Sequence, residues 1–412
     1  MMYKIGDVIK GTLFGNSYEV RDLLGAGGFG VVYLVYFDST NKFYALKTLH
    51  EECLENVQSN KAFIREAQTW LRLDEHPNIV SAYDIETSSE NLFIVLEYVP
   101  RNSTGLNSLQ DYVMFQPPNL LQVLRWSIQF CYGIEYAYSK GISAHRDIKP
   151  ANIMINREKI VEITDFGLAG VVGSVGRTIG IRLGIREGLI GLSCNTLEGA
   201  CFGTPTHMPP EQFVNAKDCD EKSDLYSFGV VLYQMASGGK LPFLANLPRY
   251  DTEKEQVRFW KEMFFLHRKA SVPIIKSPLF PLISKCLSKD PVKRFPSFAQ
   301  LRDELEAILW KTGGGIVPRP DLSELTLSDL LIRADCFEKL GSTHDMFVYL
   351  ERAVLLDPHC AFAWIKKGYA LYKQGRYEES IPCYDQALKI NPQDDQAMHY
   401  RAMAKDRISR IN

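Results

Sequence analysis

Residues 145–152 read His145-Arg146-Asp147-Ile148-Lys149-Pro150-Ala151-Asn152, and thirteen residues after Asn152 comes Asp165-Phe166-Gly167. Upstream, Gly25-Ala26-Gly27-Gly28-Phe29-Gly30 matches G-x-G-x-x-G, a pattern that dinucleotide-binding folds share with ordinary glycine-rich turns. Here Val31-Val32-Tyr33-Leu34-Val35 follows it, a β-branched run that continues as a strand instead of opening a helix. Gly25, Gly27, Gly28 and Gly30 are therefore expected at a hairpin tip, where missing side chains let backbone N–H groups approach phosphate oxygens. Lys47 ends Tyr44-Ala45-Leu46-Lys47 on the third strand, and Glu66 sits on the helix that follows. A lysine inside a strand is costly to bury unpaired, so it needs an acid, a phosphate or both. Glu66 is the acid within reach.

Composition sets the frame around these stretches. The 412 residues correspond to two or three domains at about 150 residues each. Charged residues make up 23% and apolar residues 46%, which excludes a disordered chain or a membrane-embedded bundle. The 47 basic and 49 acidic side chains leave a formal charge of -2, so no global field gathers nucleic acid. The nine cysteines are scattered without a C-x-x-C pair, which signals neither disulfide framework nor zinc site and suits reduced thiols in the cytoplasm. The first residues lack the apolar core of a signal peptide, and no apolar run approaches a membrane span.

Hydrophobic patterning divides the chain. Up to about residue 99, β-branched and aromatic runs such as YEVRDLL, VVYLVYF, KFYALKTL and LFIVLEYV read as strands. One helix interrupts them, with Phe63, Ala67, Trp70 and Leu71 on a single stripe. From about Leu120 to Trp310 the pattern is mostly helical. TGGGIVPRPDLSE, residues 312–324, breaks both periodicities and is expected as a linker. Beyond it, 327–360 aligns with 361–394: Leu330 over Trp364, Ala334 over Gly368, Gly341 over Gly375, Leu350 over Tyr384, Ala353 over Ala387, Pro358 over Pro392. This 34-residue period is that of the tetratricopeptide repeat, one helical hairpin per unit. A capping helix follows at 395–411. The expected organisation is an extension over 1–17, a first domain over 18–311 with lobes at 18–99 and 100–311, the linker, and repeats over 325–412.

With its Gly-rich loop, third-strand Lys, H-R-D-x-x-x-x-N loop and D-F-G in order, the chain from about Tyr18 to Trp310 resembles a eukaryotic-type Ser/Thr protein kinase, in wording similar to bacterial ones. The resemblance implies an α+β bilobal protein kinase fold, here followed by an all-α tetratricopeptide module. It implies that Lys47, oriented by Glu66, holds the α- and β-phosphates of ATP, that Asn152 and Asp165 coordinate Mg²⁺ or Mn²⁺, and that Asp147 takes the proton of the substrate hydroxyl. Lys149 would neutralise the transferred phosphoryl group, a residue that in this family accompanies Ser/Thr substrates. The adenine pocket would lie between Val32, Ala45 and Met154, with the backbone of Glu97 and Val99 as hinge and Leu96 behind it. His145, Phe166 and Trp70 would stack between the lobes. Thr204 resembles the substrate-cradling threonine, Glu211 would pair with Arg294, and Asp224 would brace the catalytic loop.

Two departures stand out. Asp165 to Glu211 spans 47 residues, long for an activation segment, and Ala200 stands where relatives carry the activating Thr. Arg146 still expects a negative partner; either Glu198 or phosphate on the candidate phosphosites Ser193 and Thr196 supplies it, or the segment orders by packing its apolar residues on the lobe or on a second copy of the chain. His207 stands where relatives often have Tyr and bears on substrate recognition. The implied partners are a protein substrate, a protein or peptide ligand of the repeats and a second copy of the chain, with no nucleic acid and no membrane span. Rival readings are a scaffold without catalysis, disfavoured because Lys47, Asp147, Asn152 and Asp165 are all present, and a self-phosphorylating switch acting on the repeats.

Overall fold

The computed structural model describes residues 3–11, 17–26, 30–50, 53, 57–88, 91–166, 205–215, 218–248, 252–322 and 324–411. They fall into two compact units, Met1–Ala82 with Thr87–Leu322 and Tyr83–Glu86 with Ser323–Asn412. The expected fold class holds: a strand-rich lobe, a helical lobe, and a run of helical hairpins.

The strands are β1 (Val8–Lys10), β2 (Ser17–Ala26), β3 (Gly30–Phe37), β4 (Lys42–Leu49), β5 (Ala82–Ser88) and β6 (Asn91–Glu97), in the sheet order β1-β2-β3-β4-β6-β5. Alternation sets their faces: on β3, Val31, Tyr33 and Val35 are buried and pack with Tyr18, Val20, Leu46, Phe93 and Val95. Residues 1–17, read as an extension from sequence, contribute the edge strand β1, with Ile9 in this same core. Helix α1 (Val57–Arg72) buries the expected stripe Phe63, Ala67, Trp70 and Leu71.

The helical lobe is built on α2 (Leu109–Phe115), α3 (Leu120–Ser139), α4 (Glu221–Ala236), α5 (Glu253–Lys269), α6 (Phe280–Cys286) and α7 (Phe298–Lys311). Asn119 and Gln122 form a capping box that starts α3. Every residue of α4 from Ser223 to Met235 is buried, as befits a helix surrounded by others. Phe130 of α3 stacks on Phe228 of α4 at 4.2 Å, and both meet Phe298 of α7. The short strands β7 (Ile153–Ile155) and β8 (Val161–Ile163) pair antiparallel. Part of the Gly/Pro segment expected as a linker is packed in this unit: the Gly314 carbonyl accepts from Arg125, the Val317 carbonyl from Tyr132, and Val317 is buried. Among the described residues no helix is long and apolar enough to cross a membrane.

The second unit carries α8 (Leu327–Lys339), α9 (Thr343–Leu356), α10 (Ala361–Lys373), α11 (Tyr377–Ile390) and α12 (Asp395–Ile411). The period read from sequence reappears as backbone geometry. Gly341 and Gly375 turn their hairpins at φ +71° and +77°, a conformation that costs glycine little. Asp357 and Asn391 end α9 and α11 in the same extended conformation, φ -134° and -130°, and each side-chain oxygen accepts a backbone N–H two residues on. Tyr384 of α11 fills the space left by Gly368 of α10, where a Cβ would lie 2.6 Å from the ring. Its hydroxyl is buried with no hydrogen-bond partner among the described residues. Tyr384→Phe, which deletes that hydroxyl and keeps the ring, is expected to leave stability unchanged or raise it by about 1 kcal/mol. Thermal melting of the full chain checks this, and a lowered melting temperature contradicts it.

Candidate active site

Strand β4 and helix α1 deliver Lys47 and Glu66 to one point, both buried. Lys47 Nζ donates to Glu66 Oε1 at 2.6 Å and to Asp165 Oδ1 at 2.5 Å, and lies 5.6 Å from the Trp70 ring centre. Burial works against the lysine charge, but Asp165 and Glu66 outweigh it and hold the ammonium above its ordinary range. Burial likewise opposes ionisation of Asp165, and Lys47 overrides it, so that carboxyl is held below the usual carboxylate range. Burial pushes Glu66 up more than Lys47 pulls it down.

The second cluster lies on the loop between α3 and β7. Asp147 Oδ2 accepts from Lys149 Nζ at 2.7 Å and from Asn152 Nδ2 at 2.9 Å, and the same amide nitrogen also donates to the Asp147 carbonyl. His145 Nδ1 accepts from the Asp147 backbone N–H, so its Nε2 carries the proton and donates to the Thr164 carbonyl at 3.0 Å. The Thr164 N–H in turn donates to the Asn152 carbonyl. These bonds tie the loop bearing Asp147 to the residue before Asp165, joining the two clusters. Phe166 is fully buried, 4.9 Å from His145 and 6.4 Å from Trp70 between ring centres.

Beneath the loop, Asp224 accepts from the backbone N–H groups of His145 and Arg146 at 2.5 and 2.9 Å and from the Tyr138 hydroxyl at 2.7 Å. Burial pushes this carboxyl up despite its donors. Arg146 and Asp165 both have left-handed backbones, φ +68° and +63°, a conformation that costs a non-glycine residue about 1–3 kcal/mol and persists only where surrounding bonds impose it. For Arg146 those bonds come from Asp224 and from Gln212, whose amide donates to the Arg146 carbonyl.

The other described candidate residues lie on or beside the strands of the sheet, on β7, and before and after α4. Ala45 pairs with Leu96, and Tyr44 with Glu97, across β4 and β6. Val32 sits opposite Lys47 on β3, and Gly25 is opposite Val32 on β2. A Cβ at Gly30 would lie 2.5 Å from the Thr48 carbonyl, so neighbouring backbone itself demands glycine there. The Val99 carbonyl accepts from Asn107 Nδ2 at 2.7 Å, and Met154 is half-buried on β7. Arg294 grips Glu211 with two bonds of 2.6 and 3.0 Å, and Ser223 also donates to Glu211. His207 is buried, its ring bonded to Thr206 and Gln234.

Gly27, Gly28, Ser193, Thr196, Glu198, Ala200 and Thr204 lie outside the described residues. The seven described cysteines form no disulfide with one another. Tyr138, Gln212 and Asn107 escaped the reading of the sequence, since nothing in their local pattern marks a residue whose partner lies 66 or 86 positions away, as for Gln212 and Tyr138.

Comparison with known proteins accords with this geometry. The protein kinase domain matches residues 18–304, and the tetratricopeptide repeat matches 361–394. The chain is similar to the serine/threonine-protein kinase PksC of Streptomyces coelicolor, 32% identical over 302 residues that make up 71% of this chain and 49% of that protein. It is 31% identical to the serine/threonine-protein kinase pkn3 of Myxococcus xanthus over 73% of this chain and 52% of that one. The serine/threonine-protein kinase PknD of Chlamydia muridarum is 28% identical over 71% of this chain and 31% of its own length. The alignments thus span about half of these relatives or less. The kinase match covers well over half of this chain, and together with the Lys47–Glu66–Asp165 and Asp147–Asn152 clusters it shows that the chain belongs to the protein kinase family.

Proposed function

We propose that this chain is an active Ser/Thr protein kinase that transfers the γ-phosphoryl group of ATP to protein hydroxyls. The observation that carries the reading is the joining of two charge clusters, Lys47 with Glu66 and Asp165 and Asp147 with Lys149 and Asn152, through His145 and Thr164. The substrate oxygen bonds to the γ-phosphorus as the bond from that phosphorus to the ADP oxygen breaks, and the hydroxyl proton passes to Asp147. Lys149 neutralises charge on the transferred group, and Lys47 holds the α- and β-phosphates. Val32, Ala45 and Met154 enclose the adenine, with the backbone of Glu97 and Val99 along its edge.

Protein kinases use ATP with a divalent metal, and Asn152 and Asp165 suit Mg²⁺. The Asn152 amide nitrogen is committed to Asp147, which leaves its Oδ1 as the donor. Lys47 engages Oδ1 of Asp165 and leaves Oδ2. Both are hard oxygen ligands, and the ion supplies neutralisation of phosphate charge when bound.

Arg146 Nε is buried without a hydrogen-bond partner among the described residues, which supports a negative group reaching it from Glu198 or from phosphate on Thr196 or Ser193. The repeats would recruit a protein ligand, with autophosphorylation and homodimerisation as accompanying properties. Incubating the full chain with radiolabelled ATP and protein substrates, beside Asp147→Asn, tests the reading. Label on serine and threonine from the unmutated chain alone supports it, and no transfer contradicts it.

A further inference from the structure

The 34-residue period of the repeats carries a charge as well as a shape. Lys339, Lys373 and Arg407 follow one another at that interval, each the thirteenth residue of its helix, on α8, α10 and α12. Lys339 and Lys373 end their helices, where the macrodipole alone favours a cation. Arg407 stands a full turn before the end of α12, where that effect has fallen off.

What the first of these cations holds points to a ligand. Lys339 Nζ donates to Asp84 Oδ1 at 3.1 Å and to the Ile85 carbonyl at 2.5 Å, and Cys336 Sγ donates to the same carboxylate oxygen at 3.1 Å. Asp84 and Ile85 belong to the extended stretch Tyr83–Glu86, which lies in the same compact unit as the repeats. An acidic strand, gripped by a carboxylate and by its backbone, is thus seated on the first rung.

The second and third rungs are exposed. Among the described residues neither Lys373 nor Arg407 forms an ion pair, whereas Lys366 engages Asp335 and Glu338, and Arg410 engages Asp406. The acids nearest the series are therefore already neutralised, and its positive charge is uncompensated. Arg407 Nε donates to the Tyr372 hydroxyl at 3.3 Å, Lys373 Nζ lies 5.6 Å from the Tyr369 ring centre, and Tyr369 meets Tyr400 of α12 at 5.1 Å. Both cations stand on a half-buried tyrosine surface shared by α10 and α12, and tyrosine offers a peptide an apolar ring together with a polar hydroxyl.

We propose that Lys373 and Arg407, with Tyr369, Tyr372 and Tyr400, form a docking face for an extended acidic segment of a protein partner, held as Lys339 holds Asp84. Charge complementarity of this kind selects acidic over basic partners and speeds their encounter. Such a face deepens the reading that the repeats recruit a protein ligand, on which it rests, by naming the chemistry of that ligand.

The test is fluorescence anisotropy of a labelled peptide, Tyr-Asp-Ile-Glu in tandem copies, with the full chain. Its amide counterpart, with Asn for Asp and Gln for Glu, runs beside it. The acidic peptide should bind, weaken as salt rises, and lose about threefold to tenfold in affinity in Lys373→Glu and in Arg407→Glu, since each change turns an exposed attraction into a repulsion. Lys405→Glu makes the same change on α12 about 200° around the helix from Arg407, and should leave affinity within about twofold. Hydrogen exchange should show protection of α10 and α12 by the bound peptide. No binding of the acidic peptide, equal binding of the amide peptide, or equal losses in all three variants overturns the acidic partner. Equal binding of the amide peptide with protection of α10 and α12 leaves recruitment of a protein by the repeats standing. Vesicles of phosphatidylserine and phosphatidylcholine supply the other anionic surface, and binding to them in place of the peptide overturns the protein partner and the recruitment reading together.

Discussion

Asp147→Asn is expected to slow phosphoryl transfer by about a hundredfold to ten-thousandfold, the range for loss of a positioned general base, with a much smaller change in ATP affinity. The substitution keeps the shape of the side chain and removes its charge and basicity. In the native arrangement the Asp147 carboxylate is aimed by two donors, Lys149 Nζ at 2.7 Å and Asn152 Nδ2 at 2.9 Å. With asparagine there, one side-chain oxygen still accepts, so the loop is held while the proton acceptor is gone. Steady-state kinetics at saturating ATP, with the melting temperature as a check on the fold, measure the effect. A kcat within threefold of the unmutated chain would remove Asp147 from the proton transfer and with it the proposed mechanism.

The second large effect is expected in stability. Asp224→Ala strips three donors of their acceptor at once: the backbone N–H groups of His145 and Arg146 and the Tyr138 hydroxyl. A buried donor left unsatisfied costs about 1–3 kcal/mol, so the loss should reach about 3 kcal/mol or more. For a domain of this size that corresponds to a fall of roughly 6 °C or more in melting temperature. The left-handed conformation of Arg146 loses one of the two bonds that impose it, so catalysis should fall below the activity retained by Asp224→Asn, which keeps an accepting oxygen. An alanine variant that melts and turns over like the unmutated chain would show that the catalytic loop holds its geometry without this brace.

Much of the fold was legible because its signals are local. The helical stripe of Phe63, Ala67, Trp70 and Leu71, the alternation of Val31, Tyr33 and Val35, and the recurrence of Gly341 at Gly375 each repeat over a short fixed interval, and each reappears in the structure. The pairing of Lys47 with Glu66 could be anticipated because a buried strand lysine demands an acid and the next helix carries one. Strand β1 was not legible: three residues are too few for alternation to show, and Ile9 is buried only because β2 lies beside it. The docking of Val317 was hidden in the same way, since a segment without periodicity gives no hint that Arg125 and Tyr132 will bind its carbonyls.

By itself, the sequence determined the order of the motifs, the two kinds of architecture and the identity of the charged groups, because these depend on residue type and short-range spacing. Only the tertiary structure decided which of those groups meet. Lys47 and Asp165 are 118 positions apart and His145 and Asp224 are 79 apart. Glu162, an acid by residue type, is buried on β8 with one carboxyl oxygen bonded to Asn156. Whether such an acid stays solvated depends on how the chain packs around it, and desolvation is a property of the packed chain.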